Sequence, residues 1–594
     1  MAMAAIKAMN TNWNDPNFEG FKGETPFVRA QKVKKPRKKI ASPVVRTVIN
    51  IVVTLVFAAL YFYVTLPAIN VKSGDFYVFI LLSCAVYGIC AIITSGFQGT
   101  GWKGYFGFLK KQCLVPLVIA AAMVVLAIVG SVSGWAVIRA NDYRDLLTVE
   151  EGDFAAEVEE ISYSQIPMVD KNSAVKLGNR KLGELADMVS QFEVIENYTQ
   201  INYQGRPVRV TGLRYGDWIK WFTNRAEGLP AYLIVDMVTQ NVEMVRLDEG
   251  IRYTTAEHFG RNLQRHLRFN FPTYIFDAPA FEIDEMGHPY WVCPRMDKTI
   301  GLFGGTDIIG AVLVDAVTGE CVYYDVADVP TWVDHVYTAD LIIQQYDYHG
   351  LYINGFINSL FGQREVTVST DGYNYIAIGD DVYMYTGITS VVSDESNIGF
   401  ILSNQRTKET RFYSVAGAEE YSAMASAEGQ VQHLHYQATF PLLLNISQQP
   451  TYFMALKDEA GLVKMYAMVN VSQYQIVATG ATVGECESNY RQMLANNNLI
   501  TEGESVLPEE ELALTPAVTG VVEEIRSAVM AGETHYFIAV GGEWYTSSAS
   551  ALPQLILLSE GDWVTVRAYA AAGGIAQPLY SVEAVVIVPE AVTE

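Results

Sequence analysis

The stretch IGAVLVDAVTGECVYYDV, residues 309–326, predicts a strand, a tight turn and a second strand. Two apolar runs flank a turn in which Asp315 can accept backbone hydrogen bonds and Gly319 can adopt a positive φ. We therefore interpret Asp315, Thr318 and Gly319 as turn-forming residues and not as a catalytic or metal-binding cluster. Whether this hairpin is single or repeated bears on the class of protein.

Three further stretches share the pattern of an apolar strand, a polar turn and an alternating strand: LIVDMVTQNVEMVRL (233–247), ILSNQRTKETRFYSV (401–415) and, more loosely, FMALKDEAGLVKMYAMV (453–469). Asp236 and Asn404 take the position of Asp315 in the first two, and Gly461 lies in the turn of the third. The pattern predicts four related hairpins, with chance similarity between antiparallel hairpins as the alternative.

A helical pattern follows each hairpin, over residues 254–268, 331–346, 416–432 and 482–497. The first opens with Thr254 and Glu257 at capping-box spacing. Because the turn residues lie 79 and then 89 positions apart, the region is not a short-period solenoid. We expect tandem α+β modules of unequal length.

The hairpin with the VD-x-x-TGE turn is similar to the ending of PepSY modules, which are small units of a helix and a hairpin found outside bacterial membranes. The resemblance covers residues 216–247 and 309–326, and Gln240 and Lys408 stand where the turn glycine is expected. It implies modules that bind or restrain partner proteins, often peptidases, without catalysis of their own. The whole chain resembles uncharacterised, membrane-anchored proteins of Gram-positive bacteria.

Three long apolar runs, at 43–69, 76–97 and 113–138, precede the hairpin region. Each can cross a hydrocarbon core, which takes about 20 helical residues. No Asp, Glu, Lys or His lies in the middle of a run, which argues against a self-contained pump and favours an anchor. The sequence therefore predicts three transmembrane helices.

Charge is divided unevenly along the chain. Residues 1–139 hold 15 Lys and Arg against 4 Asp and Glu, whereas the remainder holds 26 against 61. The basic segments at 33–39 and 103–111 predict a cytoplasmic N-terminus and place everything after about residue 140 outside the plasma membrane. The acidic outer region disfavours nucleic acid as a partner.

These patterns predict a fold of class α+β in five segments: a cytoplasmic basic tail (1–42), three transmembrane helices (43–139), extracytoplasmic α+β modules (140–498), an acidic linker (499–516) and a small β-barrel (517–594). The alternating strands and Gly turns of the last segment, including GDWVTVRAY at 561–569, resemble an OB-like barrel. An acidic barrel outside the membrane suggests a structural or protein-contact role.

No sequence motif identifies a catalytic reaction or a bound cofactor. The chain has no GxSxG elbow, phosphate loop or HExxH, and its cysteines show no zinc spacing, so we expect no cofactor, metal or catalytic site. The His433–His435 pair on an alternating run could present two metal ligands on one strand face. Asp334–His335 and Asp347–His349 could act as acid/base pairs.

The stretch DYHGLYINGFINSLFGQ, 347–363, is apolar and aromatic but lacks clean periodicity, which predicts a loop. Exposing its aromatic residues singly would be costly, so they either pack under a neighbouring module or form an interface. The candidate interface residues are Tyr348, Tyr352, Phe356 and Phe361.

These features favour a membrane-anchored interaction or scaffold protein of the bacterial envelope, in contact with the lipid bilayer and with protein partners or further copies of itself. Two alternatives stay open. One is an envelope enzyme that acts on wall polymer through scattered carboxylates. The other is an accessory subunit of a transport or secretion complex, with its spans as the docking surface.

Overall fold

The fold is mixed α+β, with three apolar helices at the N-terminal end and a closed five-stranded barrel near the C-terminus. A computed structural model describes residues 42–95, 101–160, 166–391, 393–501, 514–530, 533–549, 552–569 and 576–584. The predicted basic tail and most of the acidic linker lie outside these residues.

The predicted transmembrane segments are helical and long enough to cross a membrane. The helices of this region are α1 (Pro43–Thr65), α2 (Gly74–Ser95), α3 (Gly101–Gln112), α4 (Leu114–Ser133) and α5 (Ala136–Arg144). The spans are α1, α2 and α4, and α2 packs between the other two. Inside this bundle, Thr94 donates to Asn50 over 3.0 Å, which joins α2 to α1 through a buried polar contact.

Four consecutive units share one topology. In each, a helix is followed by a first strand split into two pieces, both of which pair with the long second strand, and then by third and fourth antiparallel strands. A short strand and helix come first: β1 (Val149–Gly152) and α6 (Phe154–Glu157). Unit 1 (171–251) comprises α7 (Lys171–Gly183), β2 (Phe192–Val194), β3 (Thr199–Tyr203), β4 (Arg206–Tyr215), α8 (Trp218–Asn224), β5 (Leu229–Asp236) and β6 (Val242–Ile251).

The other three units repeat this order. Unit 2 (263–325) comprises α9 (Leu263–Asn270), β7 (Ile275–Phe276), β8 (Ala280–Ile283), β9 (Pro289–Ile300), β10 (Gly304–Asp315) and β11 (Cys321–Asp325). Unit 3 (339–413) comprises α10 (Ala339–Leu351), α11 (Gly355–Ile357), β12 (Thr367–Ser369), β13 (Asn374–Ile378), β14 (Asp381–Ser390), β15 (Ser393–Asn404) and β16 (Thr410–Tyr413), and its sheet gains β1 and β17 (Gly417–Ala418). Unit 4 (420–496) comprises α12 (Glu420–Gln430), β18 (Gln437–Ala438), β19 (Leu442–Ile446), β20 (Gln449–Lys457), β21 (Val463–Asn470), β22 (Val477–Gly480) and α13 (Val483–Asn496).

The predicted turns form between the third and fourth strands. Asp315 Oδ1 accepts the N–H groups of Val317 and Thr318 at 2.8 and 2.9 Å. Asp236 and Asn404 accept the corresponding pairs of N–H groups in units 1 and 3. The residue that ends each turn adopts a left-handed conformation even where it is not glycine: φ is 61° at Gln240, 80° at Gly319 and 66° at Lys408.

The fourth predicted hairpin, at 453–469, forms, but it does not correspond to the other three. Residues 453–469 form the hairpin of β20 and β21, which corresponds to the second and third strands of the other units. The position equivalent to Asp315 is Asn470, whose Oδ1 accepts the Gln473 N–H at 2.8 Å before β22 begins. Six residues separate Asn470 from β22, against five in each of the other three turns, and this difference conceals the match.

The helix predicted at 254–268 was also misplaced. α9 begins only at Leu263, after an Asn262 N-cap that accepts the Arg265 N–H at 3.2 Å. Thr254 and Glu257 do not form a capping box. Glu257 is buried and accepts hydrogen bonds from side chains of unit 1, which outweighs the local capping preference.

The apolar run of the opening stretch is explained by burial on both faces of β10. Val312 and Val314 enter a core shared with unit 1, whereas Ala311 and Leu313 enter a core shared with unit 3. A strand buried on both sides has no polar face and reads as a continuous hydrophobic run. A third core joins units 3 and 4, so neighbouring units share cores and form one body.

The tip of the β9–β10 hairpin connects the four units to the apolar helices α2 and α4. The Phe303 ring contacts Tyr77 of α2 with centroids 5.4 Å apart. On α4, a Cβ added to Gly130 would lie 2.7 Å from Leu302, so only glycine allows this approach. The loop between α1 and α2 meets the same unit, where Lys72 Nζ lies 2.8 Å from an oxygen of Asp297. This loop and the four units therefore lie on the same side of the spans.

The barrel is closed by strands in the order β23-β24-β25-β27-β26. Its strands are β23 (Val518–Met530), β24 (Glu533–Val540), β25 (Glu543–Ser548), β26 (Trp563–Ala568) and β27 (Gln577–Ala584). A 3₁₀ turn over Pro553–Leu557 precedes β26.

Substituting Gly319 by alanine tests the packing of the unit 2 turn. The new Cβ would lie 2.4 Å from the Tyr253 ring at a residue with φ of 80°. We expect the free energy of unfolding to fall by about 2–4 kcal/mol, because left-handed strain adds to overpacking. Thermal and denaturant unfolding of the purified protein in detergent measures this loss. Gly205→Ala is the matched control: φ is 72° there but no atom lies within 4 Å, so about 1 kcal/mol is expected. Equal losses in the two variants would contradict the packing explanation.

Candidate interaction surface

The predicted aromatic loop at 347–363 is almost entirely helical. α10 continues to Leu351, α11 follows, and a π-helical turn covers Asn358–Gly362. The loss of regular 3.6-residue periodicity has a physical reason, since three short helical pieces with different pitches present their side chains in different directions.

Three of the four candidate interface residues pack inside the protein. Tyr348 and Tyr352 lie against Tyr143 of α5, with ring centroids 4.9 and 6.3 Å away, and Phe356 stacks on Tyr352 at 6.3 Å. Tyr143 is itself tied to the end of α4, because its hydroxyl donates to the Gly134 carbonyl over 2.8 Å. This aromatic stack fixes α10 and α11 beside the point where the chain leaves the membrane.

Phe361 is the candidate that points outward, with 82% of its surface exposed. Ile357 and Leu360, which the sequence analysis did not single out, are also exposed. On α5, Val137 and Ile138 are exposed as well, only a few residues after α4 ends. Apolar side chains are thus presented to the surroundings directly outside the last span.

An apolar cleft of about 340 Å³ between α2 and α4 extends to the same place. Its lining residues are Tyr77, Leu81, Met123, Val124, Ala127, Ile128, Ser131, Val132 and Trp135. Trp135 lies immediately before α5 and so connects the cleft to the exposed residues outside. We name the cleft residues together with Val137, Ile138, Ile357, Leu360 and Phe361 the docking face.

The remaining sequence candidates do not form reactive pairs. His433 lies in a 3₁₀ turn and His435 is left-handed, so the predicted strand with two ligands on one face is absent from this described segment. Asp347 accepts the Ser369 N–H at 2.9 Å, whereas His349 Nδ1 lies 3.2 Å from the Arg144 carbonyl. Across the described residues, no group of three or more His, Cys, Asp or Glu could hold a metal ion.

Asp334 and His335 belong to a buried junction between units. The helix expected at 331–346 begins only at Ala339, and the preceding segment passes between units 1 and 2. Glu282 of β8 accepts the N–H groups of Asp334 and His335 at 2.9 and 3.0 Å. Asp334 in turn accepts the Asn202 N–H of unit 1 at 2.7 Å.

Burial in this junction favours the neutral form of its acidic groups. Burial raises the pKa of Glu282 to about 7 and also raises the pKa of Asp334, with the nearby Glu282 charge as the second cause. Burial lowers the pKa of His335 to about 4, and its Nε2 lies 2.6 Å from the Gln200 carbonyl. Glu282 and Asp334 are buried and His335 is partly buried, and all three act as hydrogen-bonding groups of the junction.

A smaller cavity, of about 40 Å³, lies where units 1, 3 and 4 meet. Arg209 lines it, and its Nε donates to the Val169 carbonyl over 3.2 Å. Asp170 on the same cavity pairs with Lys457 of unit 4 at 2.6 Å. The cavity is therefore a polar contact between units, with a volume that suits no more than a few water molecules.

Comparison with protein-family models found no match, and no curated protein has a similar sequence at a significant level.

The pH dependence of stability tests the buried junction. Because the folded-state pKa values of Glu282 and Asp334 are raised, these two groups bind more protons in the folded than in the unfolded state above about pH 4.5, so their contribution to stability falls as the pH rises towards about 7. We expect Asp334→Asn to reduce this loss by about 1.4 kcal/mol for each unit of pKa shift removed. The lowered pKa of His335 contributes with the opposite sign below about pH 6.5 and is common to the wild type and the variant. Thermal unfolding between pH 5 and pH 8 measures the effect.

The exposed Asp328 provides the control. Asp328→Asn is expected to retain the wild-type dependence on pH, because its carboxylate is solvated in both states. A wild-type pH dependence in Asp334→Asn would show that this carboxyl does not titrate with folding.

Proposed function

We propose that the chain is a membrane-anchored interaction or scaffold protein of the bacterial envelope that associates with a second copy of itself through the docking face. The observation that carries this proposal is that the apolar cleft between α2 and α4 ends at Trp135, directly before the exposed Val137 and Ile138 of α5, and that α11, which precedes Phe361, packs beside α5. Lipid chains can cover the cleft, but the apolar side chains beyond it need a further cover.

The proposed orientation in the plasma membrane rests on the charge pattern of the sequence. In our proposal the N-terminus is cytoplasmic and the four units lie outside the plasma membrane, because the basic segments flank the ends of the spans that lie away from the units. Lys72 of the loop between α1 and α2 contacts Asp297 of unit 2, and Tyr77 of α2 contacts Phe303 of the same unit. Both contacts support a single rigid arrangement of spans and units. The PepSY resemblance and the OB-like order of the barrel strands support modules that contact proteins.

A second copy suits the chemistry of the docking face. None of its residues carries a charge at neutral pH. The outer region as a whole is strongly acidic, which makes two copies repel at most other surfaces. Ala127 and Ser131 lie four residues apart on α4, and small residues at this spacing allow another helix to approach closely.

Filling the cleft is the direct test. We expect the double variant Ala127→Leu, Ser131→Leu to lower the fraction of associated protein at least tenfold, because bulky side chains keep the second helix at a distance. Single-molecule photobleaching of labelled full-length protein in native-membrane nanodiscs counts the copies. Phe361→Ser tests the outer part of the face separately.

Val118→Phe is the matched control, since Val118 is exposed on α4 but does not line the cleft. Single copies in the wild-type sample would contradict self-association. If a different membrane protein co-purifies with wild type but not with the cleft variant, the face belongs to an accessory subunit of a larger complex. Loss of association in Val118→Phe as well would indicate a general effect on the span.

A further inference from the structure

A second apolar surface lies on unit 1, away from the docking face. Four large side chains of α8 and the turn before α9 are more than half exposed: Trp218 (53%), Ile219 (73%), Phe222 (57%) and Phe259 (55%). The rings of Trp218 and Phe259 lie 6.1 Å apart, so these residues form one surface and not scattered exposures. We name these four residues the aromatic ledge.

The ledge is held rigidly from below. Asp217 caps α8 by accepting the Lys220 N–H at 2.9 Å. On the inner face of α8, Trp221 is buried and its Nε1 donates to Glu257 over 2.7 Å, while the Tyr215 hydroxyl donates to the other carboxylate oxygen over 2.6 Å. A buried carboxylate with two such donors sets the orientation of the helix, so exposure of the outer side chains is a fixed property.

Contacts through Arg265 place the ledge beside the outer end of α1. Arg265 Nη1 donates to the Phe259 carbonyl over 2.8 Å, and its guanidinium carbon lies 4.3 Å from the centroid of the Tyr63 ring. Phe269 of α9 packs edge-on against Phe62 of α1 at 5.7 Å. Since α1 ends at Thr65, the ledge lies at the level where the span leaves the hydrocarbon core.

The charge around the ledge differs from that of the rest of the outer region. Arg225 covers the Phe222 ring at 4.4 Å, and Arg261 is in the turn beside Phe259. Within the described part of the chain, Arg225, Arg261 and Arg265 form no ion pair with a carboxylate. Aromatic residues flanked by uncompensated arginines are the composition that binds an anionic bilayer surface.

We propose that the aromatic ledge docks onto the outer leaflet of the same membrane, with its four apolar side chains in the interfacial zone and Arg225 and Arg261 against anionic lipid phosphates. The ledge then holds unit 1 down on the bilayer, while the β9–β10 hairpin holds unit 2. This contact does not depend on the self-association proposed above, because it uses different residues at the α1 end of the bundle.

Quenching by brominated lipid tests the contact in the full-length protein. Wild type and Trp218→Phe are reconstituted in nanodiscs of phosphatidylcholine alone or with phosphatidylglycerol, and the difference between their spectra isolates the Trp218 emission. We expect bromine near the headgroup end of the acyl chains to remove most of this emission in the anionic discs and less of it in the neutral discs. Arg225→Gln should reduce the loss in anionic discs alone.

Trp563→Phe on the barrel strand β26 is the control, because this tryptophan is 43% exposed and its emission should not respond to brominated lipid. Ile219→Glu, which alters only an exposed side chain, should protect Trp218 from quenching without changing the unfolding temperature. Unquenched Trp218 emission in anionic discs would overturn the proposal and leave the ledge as a surface for a protein. Equal quenching in both lipids, unchanged by Arg225→Gln, would overturn the recognition of anionic headgroups.

Discussion

The buried carboxyl of Glu282 is the interaction on which the arrangement of the outer region depends. It accepts the backbone N–H groups of Asp334 and His335 and so holds the connection between units 2 and 3 against unit 2, while Asp334 accepts the Asn202 N–H of unit 1. A buried acid without such donors would be costly, and so would the two unpaired N–H groups without the acid. Each group removes the penalty of the other, and the connecting segment follows one path between the sheets.

Around this junction, the sheets of neighbouring units pack together into shared hydrophobic cores. The alternating residues of β10 point into two different cores, one with unit 1 and one with unit 3. Burying each large aliphatic side chain contributes about 1.5–3 kcal/mol, and the part of that burial supplied by units 1 and 3 is lost to unit 2 in isolation. The repeats therefore act as one body, in contrast to a chain of independently mobile modules.

The rigid body is also fixed relative to the bilayer. The β9–β10 tip meets α2 and α4, Arg265 meets the end of α1, and the stack on Tyr143 meets the end of α4. These contacts are distributed around the bundle, which restrains both tilt and rotation. The docking face and the aromatic ledge consequently keep a defined position relative to the ends of the three apolar helices.

Local signals in the sequence were sufficient where the physics is local. The Asx turns at Asp236, Asp315 and Asn404 form as expected, because a side-chain oxygen and the next N–H groups decide them. Partners distant in sequence overrode weaker local preferences elsewhere. Glu257 accepts hydrogen bonds from Tyr215 and Trp221 instead of capping a helix. Most of residues 347–363 are helical and pack beside α5.

By itself, the sequence determined three apolar helices, the turn chemistry of the hairpins and a small barrel, since each follows from composition or from contacts within a few residues. Only the tertiary structure decided which aromatic residues are buried and which are presented. Tyr352 and Phe361 belong to one aromatic run, yet the first packs on Tyr143 and the second is exposed. The reason is that burial depends on the position of α5, which is set by where the chain leaves the membrane and not by neighbours in the sequence.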